Sequence, residues 1–227
     1  MDNTVIINPP IRSVFITPNT PGSKIPSHGT AKYGEMYAID FVVINKDTLS
    51  RKPYKSSFLR YLFKGLDLSD FYGWGEKVYA PVEGEVVKVT DGIEERNPVN
   101  VFKDVGNTIK VTRKFESGTL NSNELTGNCV IIKYGEKKYC LLAHLKKDSI
   151  QVKEGQKIDC NDIIGSLGHS GNSTMPHLHM QFMDSLDSNT ANGIPFAMNS
   201  FLVYEKGIWI RRTKAVPKKE DIIRTDE

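Results

Sequence analysis

The sequence predicts a mainly β chain, with antiparallel sheets in a partly open barrel or sandwich, long loops and little helix. Three observations carry this reading. From Lys77 onward, short β-prone runs alternate with turn residues at the spacing of an antiparallel sandwich. Upstream, Tyr37-Ala38-Ile39-Asp40-Phe41-Val42-Val43 is a compact β-branched and aromatic run. At Gly135-Glu136 two alternating runs meet in a tight hairpin signal.

Taken in order, residues 8–27 are rich in Pro, Asn, Thr, Gly and Ser, and read as an extended surface wrap around one short strand at 13–17. In the 37–43 run, Ile39, Phe41 and Val43 share one face, whereas Asp40 points the other way with Ala38 and Val42. Residues 45–75 carry an apolar cluster, Phe58, Leu59, Tyr61, Leu62 and Phe63, which predicts a short helix or two. Strands are then predicted at 78–80, 84–90, 108–114, 129–134, 138–144, 163–168 and 177–183. The polar connections 91–107 and 116–127 are expected to be irregular or mobile, as loops that often border a substrate groove. The charged tail, 211–227, reads as a peripheral strand or helix, or as partly disordered. A chain of 227 residues fits one domain with elaborated loops. We divide it into a wrap at 1–26, a core at 27–201 and a peripheral segment at 202–227.

Composition narrows the function classes. Thirty basic residues against 27 acidic ones give a net charge of +3, too small a field to point to a nucleic-acid partner. No run reaches the ~18–20 apolar residues of a transmembrane helix. Met1 to Pro10 lacks a basic stretch followed by an apolar one, so no export signal is expected there and the location is left open between the cell wall and the cell interior. Cys129, Cys140 and Cys160 are odd in number and form no C-x-x-C pair, which predicts buried free thiols.

Five histidines are present, His28, His144, His169, His177 and His179. In a strand through Pro176-His177-Leu178-His179, the two imidazoles project from one face and Leu178 enters the core. One imidazole could then hold a metal while its neighbour handles a proton. Zinc suits such a site, since catalytic zinc takes three N or O protein ligands and keeps a position for water. An H-x-H pair alone arises often by chance. Its context here is Gly165-Ser166-Leu167-Gly168-His169-Ser170-Gly171-Asn172-Ser173-Thr174-Met175-Pro176-His177-Leu178-His179-Met180-Gln181. This resembles the signature of the M23 (LytM/lysostaphin-type) metallopeptidases, which hydrolyse peptide bonds of bacterial peptidoglycan. Ala80-Pro81-Val82-Glu83-Gly84-Glu85-Val86-Val87, Leu142-Ala143-His144-Leu145, the stretch 152–165 and Gly193-Ile194-Pro195-Phe196 resemble further family segments in the same order.

The resemblance implies a zinc endopeptidase acting on a peptidoglycan peptide, with Asp40 and His179 as metal ligands and His144 and His177 as catalytic histidines. The family's remaining ligand commonly lies four positions before the aspartate, where this chain has Met36, a poor zinc ligand. His28, in Pro26-Ser27-His28-Gly29-Thr30, resembles a family variant with a Ser-His-Gly turn ahead of Tyr-Ala-x-Asp-Phe, and is expected to complete the set, with Gly34 allowing the chain to return. Zinc held there would lower the pKa of a water from about 15.7 toward about 7. Either His144 or His177 could position that water or steady the oxyanion. In 138–144, Cys140, Leu142 and His144 are expected to share a face. His169 is expected at the surface or behind the ligands, with substrate contact as the alternative, Gln181 behind them, at the substrate or facing solvent, and Asn128 and Ser173 in minor roles.

Two rivals stand beside this reading. Residues 81–89 with 152–165 look like a biotinyl or lipoyl barrel-sandwich hybrid, but no lysine sits at an exposed hairpin tip in a carrier setting, so a shared fold is the better account. The other is a catalytically inactive M23-like module that binds partners, favoured by the displaced first ligand alone.

Overall fold

The structure is a computed structural model and describes residues 4–117 and 122–225. Among the described residues the strands are β1 (Val5–Ile7), β2 (Val14–Ile16), β3 (Ile39–Val43), β4 (Lys77–Tyr79), β5 (Gly84–Thr90), β6 (Asn128–Gly135), β7 (Lys138–Leu145), β8 (Lys157–Ile158), β9 (Ile163–Ser166), β10 (Leu178–Met183), β11 (Phe196–Glu205), β12 (Ile208–Ala215) and β13 (Ile223–Arg224). The α-helices are α1 (Phe58–Phe63), α2 (Val101–Glu116) and α3 (Ser122–Thr126), with 3-10 helices at Lys32–Tyr37 and Leu68–Asp70. One 11-stranded sheet runs β1-β11-β13-β2-β3-β10-β7-β6-β5-β8 with β12 added on β11, and β4 pairs β9 separately. The pairings are antiparallel apart from the parallel β1–β11 contact. This order does not close on itself, so the mainly β, open architecture expected from sequence is the one found.

Alternation sets which face of the central strands is dry. Ile39, Phe41 and Val43 of β3, Leu178, Met180 and Phe182 of β10, and Cys140 and Leu142 of β7 enter one buried cluster with Val130 and Ile132 of β6. Phe15 meets Phe41 edge-on at 5.3 Å between ring centroids, and Phe182 lies between Tyr134 and Phe196. Burying each such side chain stabilises the fold by about 1.5–3 kcal/mol. A one-residue slip would drive Asp40, His179 and Gln181 into that cluster, so the register is held by the apolar set. The pairing puts His179 opposite both Asp40 and Ala143, on the face away from the cluster.

Residues 108–114 form the later half of α2 rather than a strand. Ile109 and Val111 suggest a period of two, but the longer helical period prevails, with Asp104 and Val111 turned inward and Phe102, Val105 and Ile109 outward. Asn100 caps the helix, its Oδ1 accepting from the N–H groups of Phe102 and Lys103 at 3.1 and 3.2 Å. Asp104 reaches back to accept the Asn100 N–H at 2.7 Å. The expected irregular connections at 91–107 and 116–127 therefore hold helix, and residues 118–121 of the second lie outside the described residues. A short helix in 45–75 is present as α1, with Ser57 accepting from Arg60 N. Residues 223–224 form β13 between β11 and β2, with Ile223 fully buried. All three cysteines are free, but Cys160 is only half-buried because it sits in the turn after β8 rather than on the core face of a strand.

Candidate metal centre

The centre forms on the polar face of β3, β10 and β7. Between His28 and Asp40 the chain makes a 3-10 turn, Lys32–Tyr37, kinked by left-handed backbone at Tyr33 (φ 65°) and Gly34 (φ 79°). A Cβ at Gly34 would lie 2.8 Å from Gln181 Nε2 and 3.0 Å from Met183 Cβ, so only glycine lets this turn press onto β10. The returning loop brings ligand-type atoms of His28, Asp40 and His179 within 4.8 Å of one another. The Met36 carbonyl accepts from Ser27 N at 3.2 Å.

The outer partners fix the state of each imidazole. Ser27 Oγ lies 3.3 Å from the Glu35 carbonyl and 3.0 Å from His28 Nδ1; with its one hydrogen on the carbonyl, the imidazole donates at Nδ1. His28 Nε2 is then a lone pair 3.1 Å from Asp40 Oδ2. Gln181 Nε2 donates to Tyr33 O at 2.7 Å, which turns its Oε1 toward His179 Nε2 at 3.0 Å. His179 must donate there, leaving Nδ1 as a lone pair 3.0 Å from Asp40 Oδ1. Two imidazole lone pairs thus converge on one carboxylate. Asn19 supplies an N–H to Asp40 Oδ2 at 2.7 Å, but the interior of the triad holds acceptors facing acceptors. Such a set calls for a cation. Donor atoms ~3 Å apart also suit a tetrahedral ion with bonds of about 2.0–2.2 Å, and the two-nitrogen, one-carboxylate chemistry fits zinc.

The electrostatics agree. Without metal, burial opposes the charge on Asp40, yet the charge of His177 and the hydrogen bonds that His179 and His28 make to it once a proton occupies the facing nitrogen hold its carboxyl well below the usual range. Burial likewise opposes charge on His179, but the hydrogen bond and charge of Asp40 raise its pKa to about 9. In a metal-free protein a proton fills the position that the acceptors leave for a cation.

His144 and His177 stand on the same face. Their ring centroids are 4.7 Å apart, His144 is 5.9 Å from His179, and His177 Nε2 lies 3.5 Å from Asp40 Oδ1. His144 gets there against strand alternation. Residue 144 by its position belongs with Cys140 and Leu142 on the core face, as expected from sequence, but its backbone is left-handed (φ 64°). That residue breaks the phase, so Leu142 and Leu145 both reach the core and His144 turns to the polar side. Its Nδ1 donates to Ser170 O at 3.0 Å. His177 Nδ1 donates to Met175 O at 2.8 Å. Burial holds His144 well below an ordinary histidine pKa, and the charges of His177 and His179 add to that. Burial lowers His177 too, against the pull of Asp40. Both are neutral near pH 7, each with Nε2 available to take a proton.

His169 is fully buried rather than at the surface, because residues from 95 to 104 cover it. Gln181 is buried against His179, and Asn128 is spent on Ile93 and the Leu145 carbonyl. Asn19, the Ser27 hydroxyl and the Tyr33 carbonyl escaped the sequence reading. Only Ser27, adjacent to His28, carried any signal there.

The model for Peptidase family M23 matches residues 62–192, more than half of the chain. That span includes His144, His177 and His179, while His28 and Asp40 lie ahead of it. No curated protein matches by sequence. Among solved structures, the chain is similar to the catalytic domain of lysostaphin from Staphylococcus simulans, at 18% identity over 80% of this chain and 88% of that one, with a TM-score of 0.37. It is similar to the catalytic domain of the prophage-encoded M23 protein EnpA from Enterococcus faecalis, at 16% identity over 80% and 88%, with a TM-score of 0.38. It is also similar to a zinc-containing peptidase from Vibrio cholerae, at 19% identity and a TM-score of 0.36, where 85% of this chain spans only 38% of that one. With a matched segment of this length, the chain belongs to peptidase family M23.

Proposed function

We propose that the protein is a zinc endopeptidase that cleaves peptide bonds in bacterial cell-wall peptidoglycan, and that it belongs to the family variant with a Ser-His-Gly turn ahead of Tyr-Ala-Ile-Asp-Phe. The observation that carries this is the acceptor-facing triad of His28, Asp40 and His179 with two neutral imidazoles beside it. In this reading the triad holds zinc, which supplies Lewis-acid polarisation and an acidified water. His144 and His177, neutral through burial, take a proton at Nε2 and, once charged, donate it to a developing oxyanion or to the leaving amine. The burial that lowers their pKa keeps both in the base form somewhat below pH 6.5. The choice of peptidoglycan follows the sequence resemblance, and a wall substrate requires that the protein reach the outside of the cell. We take residues 27–201 as the catalytic core of one domain, with 1–26 and 202–227 as its flanks.

Metal analysis and digestion of purified peptidoglycan test the reading together. Wild type should carry about one zinc per chain and release soluble muropeptides. His177→Ala should keep the zinc and lose about 10²–10⁴-fold in kcat, the range for a positioned acid or base. A zinc-loaded wild type without product would instead mark an inactive binding module.

A further inference from the structure

A second histidine–carboxylate assembly lies behind the candidate centre. Arg96 Nε donates to Asp104 Oδ1 at 2.6 Å, its Nη1 to Gly171 O at 2.6 Å, and its Nη2 to Ser173 O. His169 Nε2 is 3.5 Å from Asp104 Oδ1 and 3.5 Å from Arg96 Nη2, and Glu95 Oε1 accepts the His169 backbone N–H at 2.7 Å. His169 and Ser173 are fully buried, and Asp104 is 1% exposed. Ser173 Oγ then touches His169 Nδ1 at 3.0 Å, His177 Nδ1 at 3.0 Å and Met175 O at 2.6 Å.

A proton count orients this chain of contacts. A hydroxyl has one hydrogen, and the Met175 carbonyl can only accept, so the 2.6 Å contact takes that hydrogen. Ser173 Oγ therefore accepts from its other neighbours, and His169 Nδ1 must carry a proton. His177 Nδ1 must carry one too, since it faces Met175 O at 2.8 Å as well as Ser173. We propose that His169, anchored by Asp104 and Arg96 from the segment between β5 and β6, is a positioning residue that acts through Ser173 to keep His177 in its Nδ1–H tautomer with Nε2 toward the centre. This rests on the role proposed above for His177. The donor from His169 stops the Ser173 hydroxyl from turning toward His177 Nδ1, and the Ser173–Met175 bond fixes the carbonyl that holds the imidazole. A carboxylate that sets a catalytic histidine's tautomer directly is a known device; here the same task passes through a histidine and a serine, and the carboxylate comes from a helix that the metal centre itself does not use.

The test combines steady-state kinetics on peptidoglycan fragments with long-range ¹H–¹⁵N NMR of the imidazole rings in the zinc-loaded protein. Wild type should show His177 as a single Nδ1–H form between pH 6 and 8. His169→Ala should keep its zinc, show averaged His177 nitrogen signals, and lose about 10-fold to 100-fold in kcat with KM within about twofold, since a residue behind the reacting group alters the transition state more than binding. Asparagine places an amide N–H where Nδ1 sits, whereas glutamine places it where Nε2 sits. His169→Asn should therefore restore the tautomer and most of kcat, and His169→Gln should not. A single Nδ1–H form with unchanged kcat in His169→Ala overturns the proposal. If the alanine variant does not fold, equal behaviour of the asparagine and glutamine variants overturns it. A wild type that binds no zinc or cuts nothing refutes the peptidase reading instead, and leaves the tautomer measurement able to decide the positioning role.

Discussion

Two buried clusters, each setting histidine against one aspartate, lie side by side and differ in their balance of donors and acceptors. Around Asp40, the outer partners Ser27 and Gln181 take up the N–H of each imidazole and leave lone pairs converging on the carboxylate. Around Asp104, an arginine and a backbone N–H supply donors, and the remaining hydrogen bonds run onward to Ser173 and His177. Burial opposes the charge of both carboxylates, and both are held below the usual range in spite of it. Their histidines and aspartates alone would not separate them. The count of hydrogens does, since the first cluster without metal has to take up a proton on His179, whereas the second already holds the Arg96 guanidinium.

The largest expected effect breaks this contrast with a chelator. Asp40→Ala should lose zinc binding by more than the ~10–100-fold that follows loss of an outer hydrogen-bonding partner. Because zinc binds the folded form only, much of its lowered unfolding midpoint should match wild type stripped with chelator. Asp104→Ala should keep one zinc per chain yet be less stable by about 2–4 kcal/mol, somewhat below the ~3–5 kcal/mol of a fully buried pair because Arg96 remains 31% exposed. That deficit should persist in chelator. If the Asp104 deficit vanished with the metal, the two clusters would be one energetic unit.

A proton linkage sharpens the same contrast. The raised pKa of His179, about 9, lies above the ~6.5 of an unfolded histidine, so its proton stabilises the metal-free fold. That contribution is complete below about pH 6.5 and is lost as pH rises through about 9. Zinc must displace this proton, so its affinity should climb about tenfold per pH unit up to about pH 9 and level off above it. Calorimetric titrations at pH 7.5 in buffers of different ionisation enthalpy should report about one proton released per zinc. Zero release would mean that His179 is already neutral and that the acceptors are balanced in some other way.

The first cluster was largely legible in the sequence and the second was not. Asp40 and His179 fall on alternating strands whose apolar partners announce the phase, and their pairing follows from it. His28 needed the Ser-His-Gly resemblance, because a returning loop leaves no periodicity. His144 was read onto the wrong face, since alternation cannot foresee one left-handed residue at a strand end. Arg96 and Asp104 were hidden because Thr108 to Lys114 mimics a strand, and the helical period emerges only when Val101 to Val111 is taken whole. His169 sits in a glycine-flanked turn that looks superficial in sequence, because the polar segment that buries it carries no regular period.

The helix cap gives the smallest and most local way to separate the clusters. Asn100 Oδ1 accepts two N–H groups of the first turn of α2, and its own N–H goes to Asp104. Asn100→Ala removes the side-chain bonds and leaves the backbone bond to Asp104 in place, so it should cost about 1 kcal/mol. Asn100→Ser restores an acceptor at that position and should recover most of the loss. Zinc stoichiometry should not change, because no atom of α2 belongs to the triad. Hydrogen exchange should place the loss in α2 and in the His169 to Ser173 turn that Arg96 and Asp104 hold, with β3 and β10 as protected as in wild type. A loss confined to α2 would mean that the turn stands without the helix. Its grip on His177 would then have to come from Glu95 and the Ser170 contacts alone.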